Sequence, residues 1–522
     1  MQYPRRWWAM AAIALGVSLV IMDATIVNVA LPVVIKDLGL NATEAQWMNA
    51  VYALVFAALM LTSGRLADLY GRKLLFVCGM VTFGVGSLLA GSALGPIMLI
   101  LARLVQGVGA AAILPSTLST INAMFSGRER GIAFALYGST IGGMAAVGPL
   151  VGGWLATDVS WRWAFWLNLP LLVVALALTL TSLPETRDPN VRRGLDLIGT
   201  MLASVSLAGI VFALIESSTY GWWRQDSGAL SPIPFVLVGG VVVLAAFVVW
   251  ERRREAAGKV VLTHLGLFGI RSFRYGALAA LIVALGEFGM LFALPLVLQG
   301  AMGYDALGTG WLILTLALGT FFASGLVPRL TQLWGQTNVV RVGLGLEAVA
   351  IGGLALALPG AAWRLGALLF AYGVGVGLAT AQLTAVILSE VPVARSGEAS
   401  GLQTTIRQLG SALGVALLGG MLITSLTSGT REALADSTLP GPAREQVVQV
   451  VRQSVGAAIP GLKANPATAP AAGQAAEALV HAAKITTGTA SGALFVGLLA
   501  TLLLRQRRAD EDEPVAVKPA VS

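Results

Sequence analysis

Two carboxylates stand where carboxylates are costly. Asp23 lies inside the first long apolar run, in the stretch Ile21 to Pro32, and Glu287 lies inside a later one, between Ala284 and Gly289. Near the centre of a membrane-spanning helix an ionised carboxylate costs roughly 2.5–3.5 kcal/mol on insertion scales, so it faces a cavity or a partner and does work there. Burial favours the neutral acid and a nearby guanidinium favours the anion. A carboxyl held between those pulls loads and releases a proton near neutral pH, and attracts a cation when ionised. Arg103 is the available guanidinium. It shares one helix face with Gln106, Gly107 and Ala110, and reads either as the group that poises a carboxylate or as half of a structural ion pair. A second intramembrane guanidinium, Arg407, either bridges two halves of the chain or pairs with Glu390 or Glu398. Glu347 reads as a second relay or as a peripheral or protonated residue, and Glu216 as a group reaching water at the end of its span.

The composition calls for a bilayer around these charges. Apolar residues make up 56% of the 522 and charged residues 11%, with 62 glycines. Soluble domains run at roughly 45–50% and about 25%, and glycine is favoured where helices pack closely in lipid. One cysteine, Cys78, rules out an internal disulfide, and the distant His264 and His481 argue against a His-based metal site. No nucleotide-binding loop and no His-Glu-x-x-His pair is present. The sequence therefore implies no catalytic residues, cofactor, metal or nucleic-acid partner, and no enzyme. The first apolar run is too long for the h-region of a cleaved signal.

Fourteen apolar segments are predicted to span, over about 8–33, 46–67, 74–94, 97–122, 131–156, 163–183, 195–216, 232–250, 274–299, 307–330, 339–359, 364–389, 398–426 and 485–505. With the N-terminus inside, 23 of the 34 basic residues fall in inner segments and nine in outer ones, the remaining two being Arg103 and Arg407. That bias predicts both termini in the cytoplasm, since Lys and Arg concentrate in inner loops. The expected fold is all-α and polytopic. An N-terminal six-helix half covers 1–190, an inserted pair of spans 191–255, a C-terminal six-helix half 256–505, and a cytoplasmic disordered tail 506–522. A weak echo joins the halves, Ser63 to Arg72 resembling Ser324 to Gln336, as in transporters built from parallel six-span repeats. The long outer loop at about 427–484 is predicted to hold two short surface helices, around Arg444 to Val451 and Ala471 to Ala483. It reads as a passive connector rather than a cap.

Three further patterns carry chemistry. The loop Gly64 to Lys73 places Gly64, Asp68, Gly71 and Arg72 at a tight turn, where Asp68 either pairs with a basic group or caps a helix and so latches one conformation. In the fifth span, Gly138, Gly142, Ala145, Pro149 and Gly152 project within a narrow arc, ending in Gly148-Pro149-Leu150-Val151-Gly152-Gly153. Such a smooth, kinked strip suits close packing and rocking against another helix. Asn28, Gln106, Phe288, Met290, Phe292 and Arg407 are candidates to line a hydrophobic pocket between the halves, with core or lipid packing the alternative for the apolar ones.

These stretches, with Trp161 to Pro170 and Gly401 to Gly410, resemble the major facilitator superfamily, and within it the fourteen-span drug:proton antiporter family. The resemblance covers nearly the whole chain except the long outer loop and tail. It implies the major facilitator fold, two six-helix halves plus two extra central helices. It also implies an alternating-access multidrug exporter of a bacterial-type plasma membrane, a monomer driven by inward proton flow and conferring antibiotic resistance, with the span-five motif marking antiport. Its partners would be protons, the bilayer and a hydrophobic, cationic small molecule. An exporter of one endogenous lipid, amphiphile or secondary metabolite is the alternative. Asp23, Glu287 and Arg103 are then expected to couple proton and substrate, with the two carboxylates facing one central cavity from opposite halves.

Overall fold

A computed structural model describes residues 5–125, 127–186, 194–224, 229–392, 395–437 and 439–503. Among them are fourteen helices long and apolar enough to cross a membrane. The first half comprises α1 (Arg6–Leu38), α2 (Ala42–Tyr70), α3 (Arg72–Gly91), α4 (Pro96–Met124), α5 (Gly127–Trp154), and a broken sixth span, α6 (Trp163–Trp166) and α7 (Asn168–Ser182). Then come α8 (Leu197–Tyr220) and α9 (Ile233–Ala256). The second half comprises α10 (Arg271–Gly300), α11 (Ala306–Trp334), α12 (Gln336–Ala357), α13 (Ala362–Leu388), α14 (Ser396–Ala433), the short α15 (Gly441–Gln453) and α16 (Ile459–Ala464), and α17 (Ala469–Leu502). The tail at 506–522 lies outside the described residues.

Local chemistry sets the reversals. Gly39 closes α1 in the left-handed region at φ 63°, and Asn41 opens α2 with a reciprocal capping box to Glu44. Pro96 sits in the first turn of α4, and Asp305 caps α11 by accepting from the Gly308 amide. Gly71 has φ +124°, and a β-carbon there would run into the Glu185 carboxylate. That carboxylate accepts from the Lys73 and Leu74 amides at 3.1 and 3.3 Å, so it caps α3 from the end of α7.

We call the end that carries Arg5 and the α2–α3 turn the basic end, and the other the far end. At the far end the halves are joined. Gln46 on α2 donates to the Val415 and Ala416 carbonyls of α14 at 3.1 and 3.2 Å, and Gln299 on α10 donates to the Val29 carbonyl of α1 at 3.0 Å. There α5 lies directly on α11. A β-carbon on Gly153 would sit 2.5 Å from the Ala306 carbonyl oxygen, and the Leu307 amide donates to Thr157. Toward the basic end the same two helices part. Gly138 and Gly143 on α5 and Gly325 on α11 have nothing within 4 Å of where a β-carbon would stand, and Leu136, Phe321 and Phe322 are exposed. The α5–α11 side of the seam is closed at the far end and open toward the basic end, whereas on the α2–α14 side Gly401 still meets Leu61 near the basic end.

The inserted pair lies along the outside of the seam, with α8 packed on both α2 and α14. It is fastened to α2 at both ends, by Thr62 with Thr200 and by Trp47 donating to Glu216 at 3.0 Å. Glu216 therefore has a protein partner rather than water alone. Asp196 caps α8, accepts from Trp250 and pairs with Arg254 at 3.0 Å, which holds α8 to α9.

The long loop differs from its sequence reading. Its alanine-rich stretch is not a separate surface helix but the start of α17, continuous with the last span, because Ala is the best helix former and no breaker intervenes. Nor is the loop a passive connector. Val447, Val448 and Val451 of α15, with Val455 and Ile459, are buried in the main core cluster. Arg452 ties this cap to the end of α8 through the Ser218 carbonyl. Outside the spans, hydrogen bonds from Arg431 and then Gln449 hold the exposed Glu445 carboxyl below the usual range.

The α5–α11 contact is backbone against backbone, so side-chain volume there must push the helices apart. Gly153→Val is expected to lower the thermal midpoint of the purified protein by the equivalent of about 1–3 kcal/mol, the usual cost of overpacking. Gly143→Ala should leave the midpoint unchanged.

Candidate functional site: two carboxylate–arginine centres

The first centre is built inside the N-terminal half by five helices. Asp23 comes from α1, Tyr52 from α2, Ser87 from α3, Arg103 and Gln106 from α4, and Asn168 from α7. Asp23, Ser87, Gln106 and Asn168 are fully buried and Arg103 is 1% exposed. Arg103 Nη1 donates to Asp23 Oδ2 and to Gln106 Oε1, while its Nε donates to the Met48 carbonyl at 3.2 Å. Asp23 Oδ1 accepts from Gln106 Nε2 at 2.9 Å and from Asn168 Nδ2 at 3.2 Å, and Ser87 Oγ accepts from the same two amides. The Tyr52 ring covers the guanidinium, 4.4 Å from its carbon, a cation–π contact.

Packing makes this network possible. A β-carbon on Gly86 would stand 2.7 Å from the Gln106 amide nitrogen, so only glycine lets α3 come close enough for Ser87 to reach Gln106. The Trp161 to Pro170 stretch brings in Asn168. Its Trp161 and Arg162 both donate to Asp37 at 2.8 Å, pinning this segment to the far end of α1. Asn168 was legible only as part of that stretch; Ser87 and Tyr52 gave no signal in the sequence beyond being polar in apolar runs.

The second centre lies in the C-terminal half and is looser. Glu287 on α10 and Arg407 on α14 form an ion pair at 3.5 Å, with side chains 13% and 34% exposed. Small residues on α14 permit it: a β-carbon on Gly410 would sit 2.5 Å from the Leu281 carbonyl oxygen of α10.

This arrangement departs from the sequence reading in several places. Asp23 does not share a cavity with Glu287; its bonds go to α4 and α7, so it is enclosed in its own half. Arg103 pairs with Asp23 and not with the second carboxylate. Arg407 neither bridges the halves nor pairs with Glu390 or Glu398. Those two accept from the Ser272 amide and from His264 instead. Met290 and Phe292, expected to line a pocket, are packed in the core cluster, and Gln106 belongs to the Asp23 network. Phe288 is half-buried. Asn28 is half-buried too and donates to the Ala24 carbonyl of its own helix.

In the turn, Asp68 pairs with Arg72 one helical turn on, at 3.0 Å, and Gly64 faces Pro115 of α4. The turn is fastened to the end of α7 in the same half, since the Arg72 amide donates to the Thr186 carbonyl. On α5, Gly148 fits against Thr25 and Gly152 against the Ile26 backbone of α1, Gly153 meets Ala306, and the Pro149 carbonyl lies against Gly310 of α11. Gly138 faces the gap, and Gly142 lies in the same helix.

Two halves joined at a seam, each opened by a span bearing a carboxylate, match a known pattern. The sequence pattern described as the Major Facilitator Superfamily matches residues 13–196 and 189–415. The chain belongs to the major facilitator superfamily. This major facilitator protein is 37% identical over 453 residues to the puromycin resistance protein pur8 of Streptomyces alboniger, covering 83% of this chain and 84% of that one. It is 31% identical over 442 residues to the multidrug resistance protein Stp of Mycobacterium tuberculosis, covering 84% and 79%. Among solved structures, a bacterial homologue of the human lysosomal transporter Spinster superimposes with a TM-score of 0.63 over 97% of this chain and 98% of that one, at 18% identity. The facilitator is thus a multi-pass membrane transporter of small molecules, and its relatives include drug-resistance proteins.

The two centres differ in what a substitution should do. In the first, Arg103→Ala strands a buried carboxylate and is expected to cost about 3–5 kcal/mol. Adding Asp23→Asn to it should restore part of the lost thermal stability, which a double-mutant cycle on the purified facilitator would read.

Proposed function

We propose that this chain is a proton-coupled antiporter that exports hydrophobic, cationic drugs by alternating access. It works as a monomer in a bacterial-type plasma membrane with both termini in the cytoplasm. Residues 1–190 and 256–505 are taken as the moving halves and 191–255 as the inserted pair. The observation that carries the reading is the second centre. Glu287 is a carboxylate at membrane depth, held by one long contact to Arg407 and still partly accessible. A group so placed can lose its partner to a cation or take up a proton, which is what competitive coupling needs. Asp23 has three donors on its two oxygens and no exposure, so its role is to hold α1, α4 and α7 together.

Supporting the orientation is the excess of Lys and Arg at the basic end. Supporting the substrate class are relatives known as puromycin and multidrug resistance proteins. In this reading the gap between α5 and α11 at the basic end opens to the cytoplasm, where drug would enter. The strip from Gly148 to Gly153 is the surface on which the halves rock.

The test uses proteoliposomes holding the full chain, an imposed pH gradient and puromycin. Glu287→Gln is expected to reduce gradient-driven puromycin movement to the rate of empty liposomes while leaving the protein folded and monodisperse. Undiminished transport by that variant would remove the assignment. A broader substrate panel separates a drug exporter from one devoted to a single endogenous compound.

A further inference from the structure

One ionisable group near the second centre has no role so far. Glu347 lies mid-way along α12 and is fully buried, and neither of its carboxyl oxygens has a hydrogen-bond partner. The fold makes room for it. A β-carbon on Gly375 of α13 would stand 2.6 Å from Glu347 Cγ, and one on Gly343 would stand 2.8 Å from the Ala379 nitrogen, so α12 and α13 touch through two glycines around this side chain. One turn before Gly375, the buried Tyr372 hydroxyl also lacks a partner. Glu347 is therefore not peripheral, and it is not held by a fixed network as Asp23 is.

The charged groups that act on Glu347 are Glu287 and Arg407, from α10 and α14, and Tyr372 is the polar group from α13. Other ionisable groups on the helices packed against α12 lie toward their ends. Glu477, His481 and Lys484 are in the far-end part of α17, Arg329 is at the basic end of α11, and Arg364 is at the far end of α13. On α12 itself, Arg341 lies toward the basic end and donates to the Thr501 carbonyl. Among the described residues, the charged groups acting around Glu347 are thus two carboxyls, its own and that of Glu287, and one guanidinium. An unpaired ion is far costlier than a neutral acid in such surroundings, and two carboxyls sharing one counter-charge do not both ionise.

We propose that Glu287, Glu347 and Arg407 form a single exchange set that holds either one proton or one unit of substrate charge. In the conformation described, Arg407 holds Glu287 and the proton sits on Glu347. When a monovalent cation docks beside Glu287, Arg407 is released and turns to Glu347. The O–H bond of Glu347 breaks, its proton leaves to water at the open end, and the carboxylate pairs with Arg407. The set then has two negative and two positive charges in place of one negative charge, one positive charge and one neutral acid, so the exchange is electroneutral. This deepens the antiport reading above and rests on it for its transport meaning.

Infrared spectroscopy of the full chain in lipid nanodiscs at neutral pH tests the proton directly. The wild type should show a protonated buried carboxyl that Glu347→Gln lacks. Glu287→Gln should lose the same band, because Arg407 is then free to hold Glu347 as the anion. A merely structural acid would keep its band in Glu287→Gln. Absence of the band from the wild type, or its persistence in either variant, overturns the proposal, and the second variant decides should the first fail to fold. With ethidium, a permanent monocation, the wild type should release about one proton per dye bound and Glu347→Gln none. Equal release by the variant overturns the assignment while leaving antiport standing. Puromycin export without proton movement removes the antiport reading and leaves the infrared result to stand alone. Failure of ethidium to bind counts against the cationic-substrate reading only.

Discussion

The fold turns on keeping charge at membrane depth without water. The Asp23–Arg103 pair is buried among five helices, and every donor around it has been brought there to offset desolvation. A buried pair contributes little net stability, but either member alone would be severely destabilising. That makes the pair a constraint on geometry more than a source of energy. The approach of α3 to α4 at Gly86, the break between α6 and α7 that turns Asn168 inward, and the anchoring of Trp161 and Arg162 on Asp37 all serve to keep it satisfied.

The C-terminal half treats its charges differently. Glu287 and Arg407 meet at 3.5 Å with partial exposure, and Glu347 is buried with neither carboxyl oxygen partnered. Native structures leave few such atoms unpaired, and those that remain call for an explanation in function. The two ion pairs thus differ: the N-terminal one is fully buried with further donors on its carboxylate, and the C-terminal one is longer and partly exposed. Between them the seam is asymmetric as well. Glutamine side chains and glycine contacts close the far end, whereas α5 and α11 diverge at the basic end. Along the outside α8 packs on both halves, and the α5–α11 contact between them is almost entirely backbone.

The comparison of sequence with structure follows the range of each interaction. Span number, helix type and the glycine turn between α2 and α3 depend largely on neighbours within a few residues, and hydropathy and turn chemistry report these directly. The cap at the far end was misread because burial of Val447, Val448 and Val451 depends on the ends of helices distant in sequence. The pocket assigned to Met290 and Phe292 failed for the same cause: an apolar side chain in a membrane helix faces lipid, core or cavity with equal composition. The family resemblance rested on short motifs, and each of these proved to lie where backbones approach or charges pair.

By itself the sequence determined that this chain has fourteen segments apolar enough to cross a membrane and that a few costly charges must be accommodated within them. Those are consequences of composition, periodicity and the expense of charge in hydrocarbon, and they hold whatever the helices touch. Only the tertiary structure decided who partners whom. It placed Arg103 on Asp23, Arg407 on Glu287, Asn168 and Ser87 around the first pair, and Glu347 beside the second without a bond. Pairing at a distance of tens to hundreds of residues is set by which helix faces meet. That choice is made by backbone contacts at glycines whose partners no local pattern reveals.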